Sequence, residues 1–371
     1  MRSLVKLISI GFFGAVLALV GVPAKPVLAQ SAPLQIPFID EWVASPHAWH
    51  SREAFTHWND EGEIPTACAK CHSTAGFHDY LGLGGSEAGK VDKPALPGKG
   101  ITCVACHNTA IQEIREVTFP SGAVIEHPYP DARCLICHQG RQSTPQVNEA
   151  LADAGAGDDQ VSDKLRFLNV HYRAAAATRF GTEAQGGYEY TGKKYVGLYL
   201  HDEDSTLCID CHDNHTLRVS VERCVDCHEG VKERKDYVAV RTTKKDYDGD
   251  GDVTEGIAGE VEALHERFYS TIQDYAAKIA GKAIVYESHQ YPYYFTDKNG
   301  NGAVDEGEAN YPNRYKSWTP RLLKAAYNYQ FVAKDPGAYV HNPFYTIQLL
   351  HDSLDDLSTK VSDAATGLTR P

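Results

Sequence analysis

Methionine is nearly absent: the single one among 371 residues is Met1. Beyond that position the chain has no thioether to offer a metal as a soft ligand. Solitary cysteine is absent too, because all 10 cysteines fall in Cys-x-x-Cys pairs and none is left over. Basic residues are outnumbered, Lys+Arg 36 against Asp+Glu 49, for a formal net charge of −13. A chain this acidic is not built to bind nucleic acid or an anionic membrane surface, and it favours basic partners or bound cations. After Val22 no stretch is apolar enough to predict a transmembrane segment.

At the N-terminus, Arg2 and Lys6 precede an apolar run over residues 7–22, and Val27-Leu28-Ala29 supplies the small residue of a cleavage site. The pattern predicts a signal peptide over residues 1–29 and export to the periplasm, the cell surface or the extracellular space. The alternative, an uncleaved anchor helix, meets a run shorter than the roughly 20 residues of a span. No cysteine precedes Cys68, so the residues of a lipoprotein lipidation site are missing. Removing residues 1–29 takes away Arg2, Lys6 and Lys25 and moves the charge from −13 to −16.

The cysteines carry the chemistry. Cys68/Cys71/His72, Cys103/Cys106/His107, Cys134/Cys137/His138, Cys208/Cys211/His212 and Cys224/Cys227/His228 are five copies of Cys-x-x-Cys-His. That spacing lets two thiols reach the two vinyl groups of one porphyrin while the next imidazole ligates its iron, so the chain is read as carrying five covalent c-type haems. The five histidines named are the proximal ligands. A disulfide scaffold would not need a histidine after every second cysteine. Zinc would need four ligands per ion, and five three-ligand units do not tile into tetrahedral sites. A thioredoxin-like pair would be expected once, in a βαβ setting.

With no methionine in the mature chain, a sixth iron ligand has to be histidine or another group, or the position is open. Of 17 histidines twelve remain after the proximal five. His171, His201 and His215 lie beside the closely spaced pair of motifs or in alanine-rich and aromatic settings, and His57 has Phe55 and Trp58 for neighbours. These four and His341 are the expected distal ligands, with His47, His50 and His289 in reserve. His265, on a helix face with Glu262 and Glu266, and His351, beside Asp352, are expected in solvent.

Two loops resemble EF-hand calcium sites. Asp246, Asp248, Asp250 and Asp252 stand at positions one, three, five and seven around Gly251, but position twelve is Ile257, so Glu255 or Glu260 would have to serve. Asp297, Asn299, Asn301, Asp305 and Glu308 fit at one, three, five, nine and twelve around Gly302. Either could instead be a metal-free Asp/Asn/Gly turn. One or two structural calcium ions are the expectation.

The expected organisation is a signal peptide at 1–29, haems 1–3 in 30–145, haems 4–5 in 146–235, and a helical region with both calcium-type loops in 236–371. Residues 30–45 read as an extended arm, 113–126 as a β-hairpin around Pro120-Ser121-Gly122, and 141–160 as a surface loop or boundary. Gly186-Gly187-Tyr188-Glu189-Tyr190 and residues 194–201 read as short strands. Helical spacing over 257–279, Thr319-Pro320 and Pro343 predict three helices. The fold class is a multihaem cytochrome c: mainly α-helix and irregular loops around a haem-packed core, a few short β-strands and a helical C-terminal region.

Through its five motifs the whole chain resembles exported multihaem c-type cytochromes with bis-histidine haems. The tail Val340-His341-Asn342-Pro343-Phe344-Tyr345, followed by Leu349-Leu350, resembles the His-Asn-Pro helix start of the octahaem tetrathionate reductase and hydroxylamine oxidoreductase group, where such a histidine serves as a distal ligand. No Cys-x-x-Cys-Lys site, the mark of the tetrathionate reductase active haem, is present. The resemblance implies electron transfer along a chain of haems to other redox proteins or extracellular acceptors, by a soluble carrier or a subunit self-associating into a filament. The alternative is an oxidoreductase acting on a nitrogen or sulfur oxyanion at one open haem.

Overall fold

Val261, Leu264, Phe268, Ile272 and Tyr275 recur at helical spacing in α1 (Ile257–Lys278) and share one buried face. They pack against Leu322, Leu323 and Ala326 of α2 (Pro320–Ala333) and Ile347, Leu350, Leu354 and Leu357 of α3 (Pro343–Ser358). Burying each large apolar side chain contributes roughly 1.5–3 kcal/mol. The predicted starts hold: Thr319 Oγ1 accepts from Leu322 N at 3.1 Å, Asn342 Oδ1 accepts from Tyr345 N at 3.0 Å, and a proline follows each cap.

The computed structural model describes residues 35–126, 130–361 and 363–371. Residues 40–371 form one compact unit. The predicted signal peptide lies outside the described residues. No helix among the described residues is long and apolar enough to cross a membrane.

Two antiparallel hairpins are seen among the described residues. β1 (Glu116–Thr118) pairs with β2 (Val124–Glu126), Val117 opposite Ile125, as the alternation over 113–126 predicts. β3 (Ile284–Tyr286) pairs with β4 (Tyr294–Thr296) beside the bundle.

Three local expectations need correction. Residues 141–160 contain the helix Thr144–Ala154, which has Pro145 in its first turn and stops at Gly155 in the left-handed region. Part of the expected arm is the short helix Ile39–Val43. Residues 186–190 and 194–201 are not strands, because side chains of the bundle take the hydrogen bonds a partner strand would have made. Asn328 accepts from Tyr188 N at 2.6 Å and donates to Tyr188 O at 2.9 Å, and Gln348 Oε1 accepts from Val196 N at 2.9 Å.

Helix α2, which carries Asn328, is buried nearly all round, and Gln348 stands on α3. The second core joins the two regions: Phe77, Ile111, Val117, Phe180 and Ala177 pack with Tyr327 and Phe331 of α2 and Tyr345 and Leu349 of α3.

Candidate haem sites

Each motif folds as about one helical turn. The first four lie in or at the end of the short helices Thr66–His72, Cys103–Cys106, Ala132–Leu135 and Cys208–Cys211, and the fifth follows the turn Val221–Arg223. The backbone N of His107, His138, His212 and His228 donates to the carbonyl of its motif's first cysteine, at 2.9, 3.0, 2.9 and 2.9 Å. Residues i, i+3 and i+4 of a turn share a face. Both thiols and the imidazole therefore point the same way, as attachment to one porphyrin requires.

Cys103 and Cys227 are exposed, whereas Cys137 and Cys208 pack against the second core. The physical reason at Cys227 is its place in the chain: the fifth motif lies beyond Ser220, past the segment that the second core covers. Its turn is closed by backbone bonds, Cys227 N donating to Cys224 O at 3.3 Å, so Cys227 keeps the register that attachment needs while its surface meets solvent.

A second imidazole faces each of the five. Ring centres are 5.6 Å apart for His72 and His171 (site 1), 6.1 Å for His107 and His215 (site 2) and 6.3 Å for His47 and His138 (site 3). They are 6.4 Å apart for His212 and His341 (site 4) and 5.9 Å for His201 and His228 (site 5). A metal–imidazole nitrogen bond is about 2 Å and the nitrogen lies about 1 Å from the ring centre, so two rings on opposite sides of one iron have centres about 6 Å apart. The donor set and its spacing fit a haem at all five sites.

The ring nitrogens are sorted by their partners. His72 Nδ1 lies 2.7 Å from Ala54 O, His138 Nδ1 3.0 Å from Arg173 O and His212 Nδ1 3.1 Å from Leu217 O. A carbonyl only accepts, so Nδ1 carries the proton in each ring and Nε2 keeps the lone pair a metal needs. Burial, then the neighbouring His138, pushes His47 down to about 4; burial, then His72, does the same to His171. Both rings are neutral at physiological pH, the form that binds metal.

Backbone conformation aims His171. His171 and Arg173 have φ of 77° and 59°, in the left-handed region, where a non-glycine residue costs about 1–3 kcal/mol. The segment is held there by Gln330 Oε1 accepting from Val170 N at 3.0 Å and Lys334 O accepting from Arg173 N at 2.9 Å.

Four of the five expected distal residues, His171, His201, His215 and His341, thus face a proximal ring. His57 does not: it packs edge-on against Trp58 at 4.9 Å, with Nδ1 3.7 Å from Glu53. The ring facing His138 belongs to His47, a reserve, whose carbonyl accepts from Ile101 N at 3.0 Å. Gly100 permits that approach, since a Cβ there would lie 2.6 Å from the His47 oxygen. Its partner segment is distant in sequence, so no local signal marks His47. His50 and His289 are exposed, and His289 turns to Glu287 and Ser288. His265 is not in solvent as expected; it stacks on Tyr329 at 4.1 Å and donates from Nε2 to Tyr329 O at 2.9 Å.

The sites adjoin one another through their cysteines. The Cys71 thiol is held below and the Cys137 thiol above the usual range, each chiefly by the other, and Cys137 Sγ lies 3.8 Å from Lys70 O, joining sites 1 and 3. The Cys134 thiol is likewise held down and the Cys208 thiol pushed up, each chiefly by the other, and Asp131 Oδ1 accepts from Cys208 N at 2.9 Å, joining sites 3 and 4. Burial first, and then the charge of Cys134, raises the Cys106 thiol pKa. Ser220 N donates to Cys211 O at 3.0 Å and Ser220 O accepts from Cys224 Sγ at 3.5 Å, joining sites 4 and 5.

Both calcium-type loops take the same path. Asp246 accepts from Gly249 N and Gly251 N at 2.6 and 2.8 Å, and Asp297 from Gly300 N and Gly302 N at 2.6 and 2.8 Å. Buried Glu308 closes the second loop by accepting from Lys298 N at 2.8 Å and Asp305 N at 3.2 Å. Asn299 and Asn301 both donate to Asp305. In the first loop Glu260, from α1, accepts from Tyr247 N at 2.8 Å and Asp248 N at 2.9 Å, the part Glu308 plays in the second. Oxygens of Asp246, Asp248 and Glu260 lie within 4.8 Å of one another, as do those of Asp248, Asp250 and Glu255. Asp252 is outside both groups and accepts from Thr254.

The comparisons agree with the motifs. The chain is 26% identical over 359 residues to the C-type polyheme cytochrome OmcB of Geobacter sulfurreducens, covering 81% of this chain and 45% of the relative. It is 27% identical over 371 residues to the C-type polyheme cytochrome OmcC of the same species, covering 81% of this chain and 44% of the relative. The chain thus spans less than half the length of these curated relatives. No family model and no solved structure matches it. The similarity supports a multihaem c-type cytochrome.

Proposed function

We propose that the chain transfers electrons through five covalently bound haems, each ligated by two of its own histidines. The observation that carries this reading is the second imidazole about 6 Å from every proximal ring. Each bound haem supplies a one-electron couple. The chain fixes both ligands on framework that does not need to move, so neither oxidation state rearranges its coordination, and paired histidines favour a lower potential than histidine with methionine.

The cysteine neighbourhoods support one route. Thioether sulfurs lie at the porphyrin edge, so sites 1 and 2 both meet site 3, site 3 meets site 4, and site 4 leads to site 5. Site 3 is the junction. Every facing ring comes from the same chain, so no histidine from a second copy is required, and this favours a carrier over a filament built on shared ligands. The leader-like residues 1–29 and the haem chemistry support work outside the cytoplasm, with other redox proteins or extracellular acceptors as partners.

We further propose calcium at both acidic loops, with Glu308 and Glu260 as the closing carboxylates. The reading of one open haem acting on an oxyanion lacks a proximal ring without a facing partner. Carbon monoxide tests the choice. The dithionite-reduced protein, with five haems per chain by pyridine haemochrome assay, is expected to leave its Soret band unshifted. Stoichiometric binding at one haem would favour the enzyme.

A further inference from the structure

His341 differs from the rings described above in what holds its Nδ1. That nitrogen lies 2.9 Å from both carboxylate oxygens of Asp335, whose side chain is 2% exposed. At His72, His138 and His212 the same nitrogen meets a neutral carbonyl.

The carboxylate is fixed in place. Asp335 Oδ1 accepts from Gly337 N at 3.1 Å, and Asp335 N donates to Val332 O at 3.2 Å as α2 ends. His341 N donates back to Gly337 O at 2.8 Å. A Cβ on Gly337 would lie 2.6 Å from His341 Cε1 and 3.1 Å from Nε2, so the turn leaves room for this ring and no more. The nearby cations are engaged elsewhere: Lys334 donates to Ser288 O at 2.7 Å, and Arg179 to Asp131 at 2.9 Å.

We propose that Asp335 is a positioning residue that lowers the potential of site 4, by accepting a charged hydrogen bond from His341 Nδ1 and so giving the ring imidazolate character. This rests on the reading of site 4 as ligated by His212 and His341. A more basic ligand and a buried negative charge both favour the ferric state over the ferrous one. One electron enters site 4 from site 3 or site 5 and one leaves to the other. No bond to iron forms or breaks, and the proton stays on Nδ1. Because site 5 is reached through site 4, Asp335 governs the step that fills or empties the end of the route.

The test is a spectropotentiometric titration of Asp335→Asn and Asp335→Glu, with electron paramagnetic resonance on each and His341→Ala as reference. The expected result is that D335N keeps five low-spin haems while one midpoint rises by at least about 59 mV, a tenfold change in the oxidised-to-reduced ratio of a one-electron couple. D335E should return that midpoint toward its native value. Five low-spin haems with all midpoints unchanged in D335N would overturn the inference, as would equal shifts in D335N and D335E. H341A should create one high-spin haem; if it does not, the reading of site 4 fails and takes the inference with it. Should D335N not load haem, the unmodified protein decides. The signal lost in H341A must show a narrower g spread than that of site 3, where His138 meets a carbonyl, and an equal spread overturns the inference.

Discussion

The imidazole planes of His107 and His215 lie within 8° of parallel, with ring centres 6.1 Å apart. The corresponding angles are 24° at site 3 and 35° at site 4, but 83° at site 1 and 64° at site 5. Parallel imidazoles remove the near-degeneracy of two iron d orbitals, and perpendicular ones preserve it. The oxidised protein should therefore give two kinds of low-spin resonance: ordinary rhombic signals from sites 2, 3 and 4, and signals with a large maximal g from sites 1 and 5. A spectrum with one kind alone would contradict these orientations.

His47→Ala and His57→Ala separate the two histidines of the N-terminal segment. Loss of the ring facing His138 should convert one haem in five to high spin and open it to carbon monoxide. Loss of His57, which packs on Trp58, should leave both properties unchanged. The opposite pattern would return His57 to the ligand set and remove His47.

Calcium should raise the unfolding temperature, and chelation should lower it. For one site, calcium at a hundredfold excess over Kd adds about 2.7 kcal/mol through linkage. Glu308→Gln should abolish one part of the shift and Glu260→Gln the other, since each removes the carboxylate that closes its loop. Calorimetric scans with and without the ion check this, and an unfolding temperature indifferent to calcium would rule the sites out.

Acid should loosen the C-terminal tail at α3. Burial acts to raise the Asp352 carboxyl, but hydrogen bonds from His351 and Arg370 outweigh it and hold the group at about 2 instead of 3.8. Its folded-state value is depressed, so the contribution is present above about pH 4 and is lost as pH falls through about 2. Arg370→Ala, which removes two hydrogen bonds of 2.9 Å, should move the acid transition followed by circular dichroism to higher pH. An unchanged midpoint would mean that the pair contributes nothing.

What was legible in the sequence was local. The Cys-x-x-Cys-His turns, the apolar stripe from Val261 to Tyr275 and the caps at Thr319 and Asn342 each lie within one element and follow from spacing alone. What was not legible depends on distant partners. The extended segments around Tyr188 and Val196 read as strands until Asn328 and Gln348 fill their hydrogen bonds from the bundle. His265, with acids one turn away, reads as solvated until Tyr329 of another helix stacks on it. His57 had aromatic neighbours in sequence, whereas His47 reaches His138 through contacts near Gly100 and Ile101 that no window along the chain contains. Asp335 carried no motif, and its importance comes from its bond to His341.

The most direct measurement is a spin-quantified electron paramagnetic resonance spectrum of the oxidised protein, taken with iron and protein determined on the same sample. Five irons per chain, all low-spin, is the result expected if every haem lies between two histidines. Fewer than five irons, or a high-spin signal near one haem in five, would contradict that arrangement.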